Sequence, residues 1–168
     1  GIDEKEVLTE LVREVQSVTD LPLSIDTASP AALEAAVRIY NGKPLINSVS
    51  GKAESMELVF PIAKKYGAVI VALTLDERGI PDTAEERVEI AEKIISKAKE
   101  YGIDKRNIIV DPLTLSISAD PTAARITLRA VELLSARGIK TVLGVSNVSF
   151  GLPARDKINS AFFKAQSF

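Results

Sequence analysis

The chain contains no cysteine and no histidine, and these two absences limit the chemistry available to it. Without cysteine it has no disulfide, no thiolate metal ligand and no cysteine nucleophile. Without histidine it lacks the commonest general base near neutral pH and the commonest zinc ligand. We therefore expect no metal site, and a chemistry that depends on carboxylates, amides, hydroxyls and a bound cofactor.

Charge and hydropathy exclude two further classes of partner. The net charge of −2 comes without any basic cluster, so the sequence lacks the electrostatic signature of a nucleic-acid or anionic-membrane binder. The apolar runs are too short to cross a bilayer, and the acidic start GIDEKEV lacks a signal-peptide pattern. We expect one soluble, cytoplasmic domain over residues 1–168, with neither nucleic acid nor membrane as a partner.

Helix and strand signals alternate along the whole sequence. Helix starts are predicted at Asp3, at Ser29-Pro30 and at Thr83, where a capping residue precedes a helical pattern. Further starts are predicted at Asp120-Pro121 and Pro153, and Pro61 predicts a kink. Strands are predicted at residues 21–26, 68–75, 108–111 and 141–145, with a shorter one at 45–46 leading into Asn47.

This alternation of strands and helices predicts an α/β fold of parallel strands joined by helical crossovers. The glycine-rich phosphate loops of open doubly wound sheets are missing, which favours a (β/α) barrel. A complete barrel of this type has eight strands and about 250 residues. Five strands and six helices are predicted here, so we expect a partial or rearranged TIM barrel.

Polar side chains follow each predicted strand, in the order Asp26, Asn47, Asp76, Asp111 and Asn147. The carboxyl ends of parallel strands meet at one edge, where such folds bind their ligands, so these residues predict one composite site. An aspartate after a strand is also favoured as a turn former or helix cap. We assign Asp76 and Asp120 to that structural alternative.

Several motifs are similar to those of the pterin-binding domain family, and they cover nearly the whole chain. They are SIDT at 24–27, LINSVSG at 45–51, FPIAKKYGA at 60–68, VALTLDERGIP at 71–81, VDPL at 110–113, VLGVSNVSFGLPAR at 142–155 and INSAFF at 158–163. Within the family they resemble the methyltetrahydrofolate-binding barrel of cobalamin-dependent methionine synthase and of corrinoid/iron-sulfur protein methyltransferases. Dihydropteroate synthases resemble the chain less, because they usually read Ile-Asn-Asp where it has Ile46-Asn47-Ser48, and they end in a basic loop.

The resemblance implies a folate-binding site that also makes chemical sense. The pyrimidine edge of a pterin presents an exocyclic amine and a ring N–H, and a carboxylate can accept both side by side. Asp111 is our candidate for that contact. Asp26 and Asn47 would complete the edge, since Asn47 can donate and accept at once, although Asp26 could instead hold a neighbouring loop.

Asn147 is the predicted catalytic residue. Its amide can accept from a protonated ring nitrogen or donate to an unprotonated one, which suits N5 as it gains positive character during methyl transfer. The alternative is an asparagine that adopts a left-handed turn. Gly144 and Ser146 are expected to contact the ring through their backbone. Arg155 would lie near the folate, or would instead be a first-turn helix arginine with a surface partner.

The resemblance implies transfer of a methyl group from methyltetrahydrofolate to cob(I)alamin. Cobalamin is expected on a partner domain or protein, because nothing in the sequence resembles a corrinoid-binding motif. An alternative follows from the small number of strands: an excised or engineered barrel fragment, ending in KAQSF, that acts as a folding or self-assembly module without turnover. In that case a homodimer would cover the open barrel.

Overall fold

A computed structural model describes residues 3–165. Residues 1–2 of the acidic start and residues 166–168 of the KAQSF ending lie outside the described part. The six helices are α1 Glu4–Val18, α2 Pro30–Ile39, α3 Ala53–Tyr66, α4 Ala84–Glu100, α5 Ala123–Ala136 and α6 Arg155–Lys164. The four strands are β1 Ser24–Asp26, β2 Leu45–Ser50, β3 Val69–Leu73 and β4 Ile108–Asp111, and 3₁₀ turns span Lys105–Asn107 and Val145–Ser149.

Helix starts follow the capping residues of the sequence. The Asp3 carboxylate accepts from the Lys5 N–H, the Ser29 hydroxyl from the Ala32 N–H, and the Thr83 hydroxyl from the Glu86 N–H. Each bond satisfies a backbone donor that has no partner inside its helix. α3 instead begins without a side-chain cap and runs through Pro61. α5 and α6 start at Ala123 and Arg155, two residues after the prolines that predicted them.

The strands form one parallel sheet in the order β1-β2-β3-β4, so strands consecutive in sequence are neighbours in space. This order is the one expected for a (β/α) barrel wall. Asp26 pairs with Asn47, and Leu73 pairs with Asp111. A bulge in β2 lies between Asn47 and Val49, within a strand whose Asn47–Ser48 peptide bond is cis.

The two faces of this sheet have different surroundings. Alternate residues point to opposite faces of a strand, so the register sorts them. The outer face packs against the helices in one apolar core, and its residues are at most 3% exposed: Ile25, Ile46, Val49, Ile70, Ala72, Ile108 and Val110. The inner face is the one that would line a barrel. It carries Ser24, Asp26, Leu45, Asn47, Ser50, Val69, Val71, Leu73, Ile109 and Asp111.

The predicted fifth strand at 141–145 is wrong in extent, since it is reduced to a single parallel bridge between Val110 and Thr141. The Val142 N–H donates to the Val110 carbonyl at 2.9 Å, and the Val110 N–H donates to the Lys140 carbonyl at 2.8 Å. The next bond of a parallel ladder would need an N–H on Pro112, which proline lacks. Pairing therefore stops there, and the 3₁₀ turn begins at Val145.

None of the helices within residues 3–165 combines the length and hydrophobicity needed to cross a bilayer.

Candidate functional site

Asp26 ends β1, and Asn47 lies beside it as the third residue of β2, which continues to Ser50; the predicted strand end at Asn47 is therefore wrong. Their backbones are register partners, and the Asn47 Nδ2 donates to the Asp26 Oδ2 at 3.2 Å. This bond fixes which end of the Asn47 amide faces the carboxylate, and the amide oxygen remains an acceptor. The structure thus brings together two of the predicted folate-binding residues.

A cavity of about 510 Å³ opens beside this pair. Its volume is in the range of small-molecule sites. Besides Asp26 and Asn47, polar groups of Thr27, Ser48, Lys52 and Ser55 and apolar groups of Leu33, Leu58 and Val59 form its wall. Asp111 and Asn147 do not line this cavity, so the predicted site falls into separate parts.

Asp111 ends β4 on the same inner face as Asp26 and Asn47. It lies one row of inner-facing residues beyond Asn47, towards the carboxyl ends of the strands. Two strand spacings, about 10 Å, separate it from β2. Its Oδ1 accepts from the Leu113 N–H at 2.8 Å, which leaves Oδ2 and the second lone pair of Oδ1 for a ligand. Burial raises the pKa of Asp111, while the Leu113 N–H acts in the opposite direction. When burial disfavours the charged form of a carboxylate, hydrogen bonds donated by a ligand stabilise that charge more than they would on an exposed carboxylate.

Asn147 lies in the exposed 3₁₀ turn Val145–Ser149, which is anchored by the buried Val148 and Ser149. The left-handed alternative for Asn147 is wrong, since Leu113 and Ala154 are the non-glycine residues with positive φ within 3–165. A Cβ added to Gly144 would lie 3.0 Å from the Asn147 Nδ2, so Gly144 leaves room for this amide.

Arg155 braces the turn that carries Asn147. From the first position of α6, its Nη2 donates to the Ser146 carbonyl at 2.9 Å and its Nε donates to the Ser149 hydroxyl at 3.1 Å. Both atoms belong to the segment flanking Asn147. These contacts match the alternative of a first-turn arginine in position, but the Ser149 hydroxyl is buried and is not the surface partner expected there. A contact to folate remains a prediction.

A comparison with known protein families identifies the family of the chain. The family model described as "Pterin binding enzyme" matches residues 1–166. The chain belongs to the pterin-binding enzyme family. The predicted resemblance to that family is therefore confirmed.

Relatives within this pterin-binding family include two groups of enzymes. Methionine synthase of Mycobacterium tuberculosis is 34% identical over 166 residues, which cover 90% of this chain and 14% of that protein. Methylcorrinoid:tetrahydrofolate methyltransferase of Eubacterium limosum is 32% identical over 163 residues, covering 92% of this chain and 58% of that protein. The chain thus spans only part of the length of either relative.

Solved structures of the family share the fold. Dihydropteroate synthase of Vibrio fischeri aligns with a TM-score of 0.70 at 17% identity, over 98% of this chain and 65% of that one. Dihydropteroate synthase of Xanthomonas albilineans aligns with a TM-score of 0.69 at 21% identity, over 99% and 64%. At these identities the likeness concerns the fold alone. It confirms the predicted α/β architecture of parallel strands, here as part of a barrel.

Asp76 and Asp120 have the structural roles assigned to them. Asp76 accepts from the backbone and the guanidinium of Arg78, which hold the pKa of its carboxyl below the ordinary value. Asp120 accepts from the backbone N–H and the hydroxyl of Thr122, which lower its pKa as well. Both carboxylates stabilise turns.

Two basic residues of α4 were missed by the sequence analysis. Arg87 is buried and donates to carbonyls of the loops after β3 and β4. Lys93 Nζ donates to the Gly51 carbonyl at 2.7 Å, in the loop after β2. A sequence signal existed for Arg87, because it precedes the buried Ala91 and Ala98 at helical spacing on the inward face of α4.

Within residues 3–165, no three acidic side chains come close enough to form a metal-binding group.

Proposed function

We propose that this chain binds methyltetrahydrofolate at the inner face of its sheet and presents the methyl group for transfer to cob(I)alamin. The cob(I)alamin would be held by another domain or protein. One observation carries the proposal: a half-buried carboxylate, Asp111, shares the inner face of the sheet with the hydrogen-bonded pair Asp26 and Asn47. The name of one relative, methylcorrinoid:tetrahydrofolate methyltransferase, supports the same substrate class.

The three side chains offer the groups that a pterin edge requires. The Asp111 carboxylate would accept the exocyclic amine and the ring N–H of the pyrimidine, as a pair of parallel hydrogen bonds. Burial of Asp111 strengthens such bonds, because water competes less for the carboxylate. Asp26, which accepts from Asn47, would orient the amide so that its oxygen faces the ligand.

Asn147 would act at the reacting nitrogen. During transfer the bond between N5 and the methyl carbon breaks, its electron pair stays on N5, and the methyl passes to the nucleophile. A proton on N5 makes the nitrogen a better leaving group, and the Asn147 carbonyl can accept from that N–H. An interaction stronger in the transition state than in the ground state raises the rate. Gly144 and Arg155 would keep this amide in place.

The proposed role stops at methyl transfer from folate. Cob(I)alamin supplies a strong nucleophile when it is bound by its own domain. Activation of homocysteine requires zinc and thiolate ligands, and this chain has no cysteine and no histidine. Dihydropteroate synthesis is the less favoured reading, because the basic loop expected for it is absent at Ser146, Asn147 and Val148.

A self-assembly module without turnover is the second candidate, and an apolar stripe on α1 favours it. Val7, Leu11 and Val18 follow one another at helical spacing and are 41%, 53% and 82% exposed. Within residues 3–165, β1 pairs only with β2, which leaves its other edge open. A homodimer that completes the barrel would cover such surfaces. Solution mass distinguishes this candidate from a monomeric binder.

The decisive experiment is a calorimetric titration with methyltetrahydrofolate of the wild type, Asp111→Ala and Asn147→Ala. Circular dichroism first establishes that all three are folded. We expect wild-type binding, its loss in the Asp111 variant, and retained binding with impaired methyl transfer to free cob(I)alamin in the Asn147 variant. A folded wild type that binds no folate would overturn the proposal, and a dimeric mass would then favour self-assembly.

A further inference from the structure

Arg87 is a buried cation that the proposed reaction does not use. Its side chain lies on the inward face of α4 and is 1% exposed. Within residues 3–165 it forms no ion pair with a carboxylate. Burial lowers the pKa of Arg87, and the charges of Asp82 and Asp120 oppose that shift only from a distance. A charge so placed is costly unless hydrogen bonds compensate for lost water.

Those hydrogen bonds go to backbone carbonyls of two loops at the carboxyl edge of the sheet. The Arg87 Nη1 donates to the carbonyls of Pro112 and Leu113, at 3.0 and 2.8 Å. Its Nε donates to the Pro81 carbonyl at 3.0 Å, in the loop between β3 and α4. The guanidinium therefore ties the segment directly after Asp111 to a neighbouring loop.

A third element joins the same contact. The Thr127 hydroxyl of α5 lies 3.0 Å from the Leu113 carbonyl, 3.1 Å from the Ala123 carbonyl of its own helix and 3.5 Å from the Arg87 Nη1. Its single proton can go to either carbonyl, so the Leu113 carbonyl has donors within reach from two helices, α4 and α5. A carbonyl held from two sides leaves its peptide little freedom to rotate.

The conformation of Leu113 explains why this matters for Asp111. Leu113 has φ +63°, in the left-handed region that a side chain with a Cβ disfavours. Its N–H is the donor that holds the Asp111 Oδ1 at 2.8 Å. The Pro112 carbonyl, which accepts from Arg87, belongs to the same planar peptide group as this N–H, so that contact holds the N–H directly. The contact to the Leu113 carbonyl holds the next peptide group, and the two together fix the left-handed conformation in which the N–H reaches Asp111.

We propose that Arg87 is a positioning residue for Asp111. Through the carbonyls of Pro112 and Leu113 it fixes the loop whose N–H orients the ligand-binding carboxylate. The expected effect of Arg87 on folate affinity rests on the proposed function, whereas its expected effect on the loop does not. Arg87 acts through the loop and does not itself contact the ligand.

The test compares Arg87→Met and Arg87→Lys with the wild type and a control, Leu134→Ala. Leu134 is buried in α5, about 10 Å along the helix from Thr127, and its truncation destabilises the protein without touching the loop. Denaturant unfolding measures the stability of each variant. Calorimetry gives its affinity for methyltetrahydrofolate, and hydrogen exchange at a stated pH reports the protection of the Leu113 amide.

We expect Arg87→Met to weaken folate binding roughly ten- to a hundredfold, since small misplacements of a binding group have effects of that size. Exchange of the Leu113 amide should accelerate more than the loss of global stability requires. Arg87→Lys keeps the charge and can reach one carbonyl, so it should recover part of the folate affinity and part of the Leu113 amide protection. Leu134→Ala should bind folate like the wild type.

Wild-type affinity and full Leu113 protection in folded Arg87→Met would overturn the inference. If that variant does not fold, the same result in Arg87→Lys overturns it. If the wild type itself binds no folate, the proposed function fails. In that case hydrogen exchange at the Leu113 amide is the only test of the positioning role. Faster exchange in the Arg87 variants would support the role, and unchanged protection would contradict it.

Discussion

The outer and inner faces of the sheet come from the same strands but have opposite properties. Outer residues such as Ile46 and Ile70 are fully buried against the helices, whereas inner residues such as Asn47 and Asp111 stay partly exposed. Strand alternation puts these two sets one residue apart in sequence. Stability should therefore depend on one set and ligand binding on the other, and substitutions can separate the two.

The largest expected effect is a loss of stability from Ile70→Ala on the outer face. Truncating a fully buried side chain of this size typically costs about 2–5 kcal/mol of unfolding free energy. Leu73→Ala, on the inner face of the same strand, should cost clearly less because Leu73 is only half-buried. Urea unfolding of both variants measures the difference. Equal costs would break the comparison and would indicate that a second copy covers the inner face.

A smaller effect, confined to binding, is expected from Asp111→Asn. Losing one charged hydrogen-bond acceptor should weaken methyltetrahydrofolate binding by about 1.5–3 kcal/mol, measured by calorimetry. Stability should not fall, because asparagine keeps an oxygen for the Leu113 N–H. A variant that loses stability along with affinity would argue against the separation of the two faces.

The pH dependence of the same variant sharpens this expectation. Burial raises the folded-state pKa of Asp111, so its neutral form stabilises the fold at low pH and that contribution is lost as pH rises through the folded pKa. The stability of Asp111→Asn relative to the wild type should therefore increase as pH rises above about 3.9, the unperturbed value. Denaturant unfolding across the acidic range measures it, and a flat or decreasing difference would contradict the assignment.

The smallest effect is expected from Gly144→Ala. The new Cβ would press on the Asn147 amide at 3.0 Å, so that the amide must shift by a few tenths of an ångström. The backbone at Gly144, with φ −76°, accepts alanine, and stability should change by less than about 0.5 kcal/mol. Methyl transfer to free cob(I)alamin should slow measurably. Ser146→Ala is the matched control, because it keeps the carbonyl that accepts from Arg155, and an equal slowing there would count against crowding of Asn147.

Much of the fold could be predicted from the sequence because its signals are local. The caps at Ser29 and Thr83 fixed two helix starts, and the apolar run 108–111 coincides with β4. These features need no knowledge of distant contacts. The shared face of Asp26, Asn47 and Asp111 follows from the predicted strands only once the register between them is known.

The remainder depended on contacts between distant segments. The fifth strand failed because its register places Pro112 where the ladder needs a donor, which the sequence of residues 141–145 does not show. Arg87 interrupts the apolar inward face of α4, but its partners are backbone carbonyls, and every residue has one, so the sequence cannot identify them. Asn147 is predicted to follow this fifth strand, which is reduced to one bridge, and it lies in the 3₁₀ turn beyond it.

Helix α4 supplies cations to loops on both sides of it, and this restricts how the helix can vary in length. Arg87 donates hydrogen bonds to the loops after β3 and β4, while Lys93 donates one to the loop after β2. One residue inserted between them would rotate one cation by about 100° relative to the other, and only one set of loops could stay attached. The same insertion beyond Lys93, towards Glu100, would leave both attachments intact. Length polymorphism along α4 should therefore be confined to its carboxyl-terminal half.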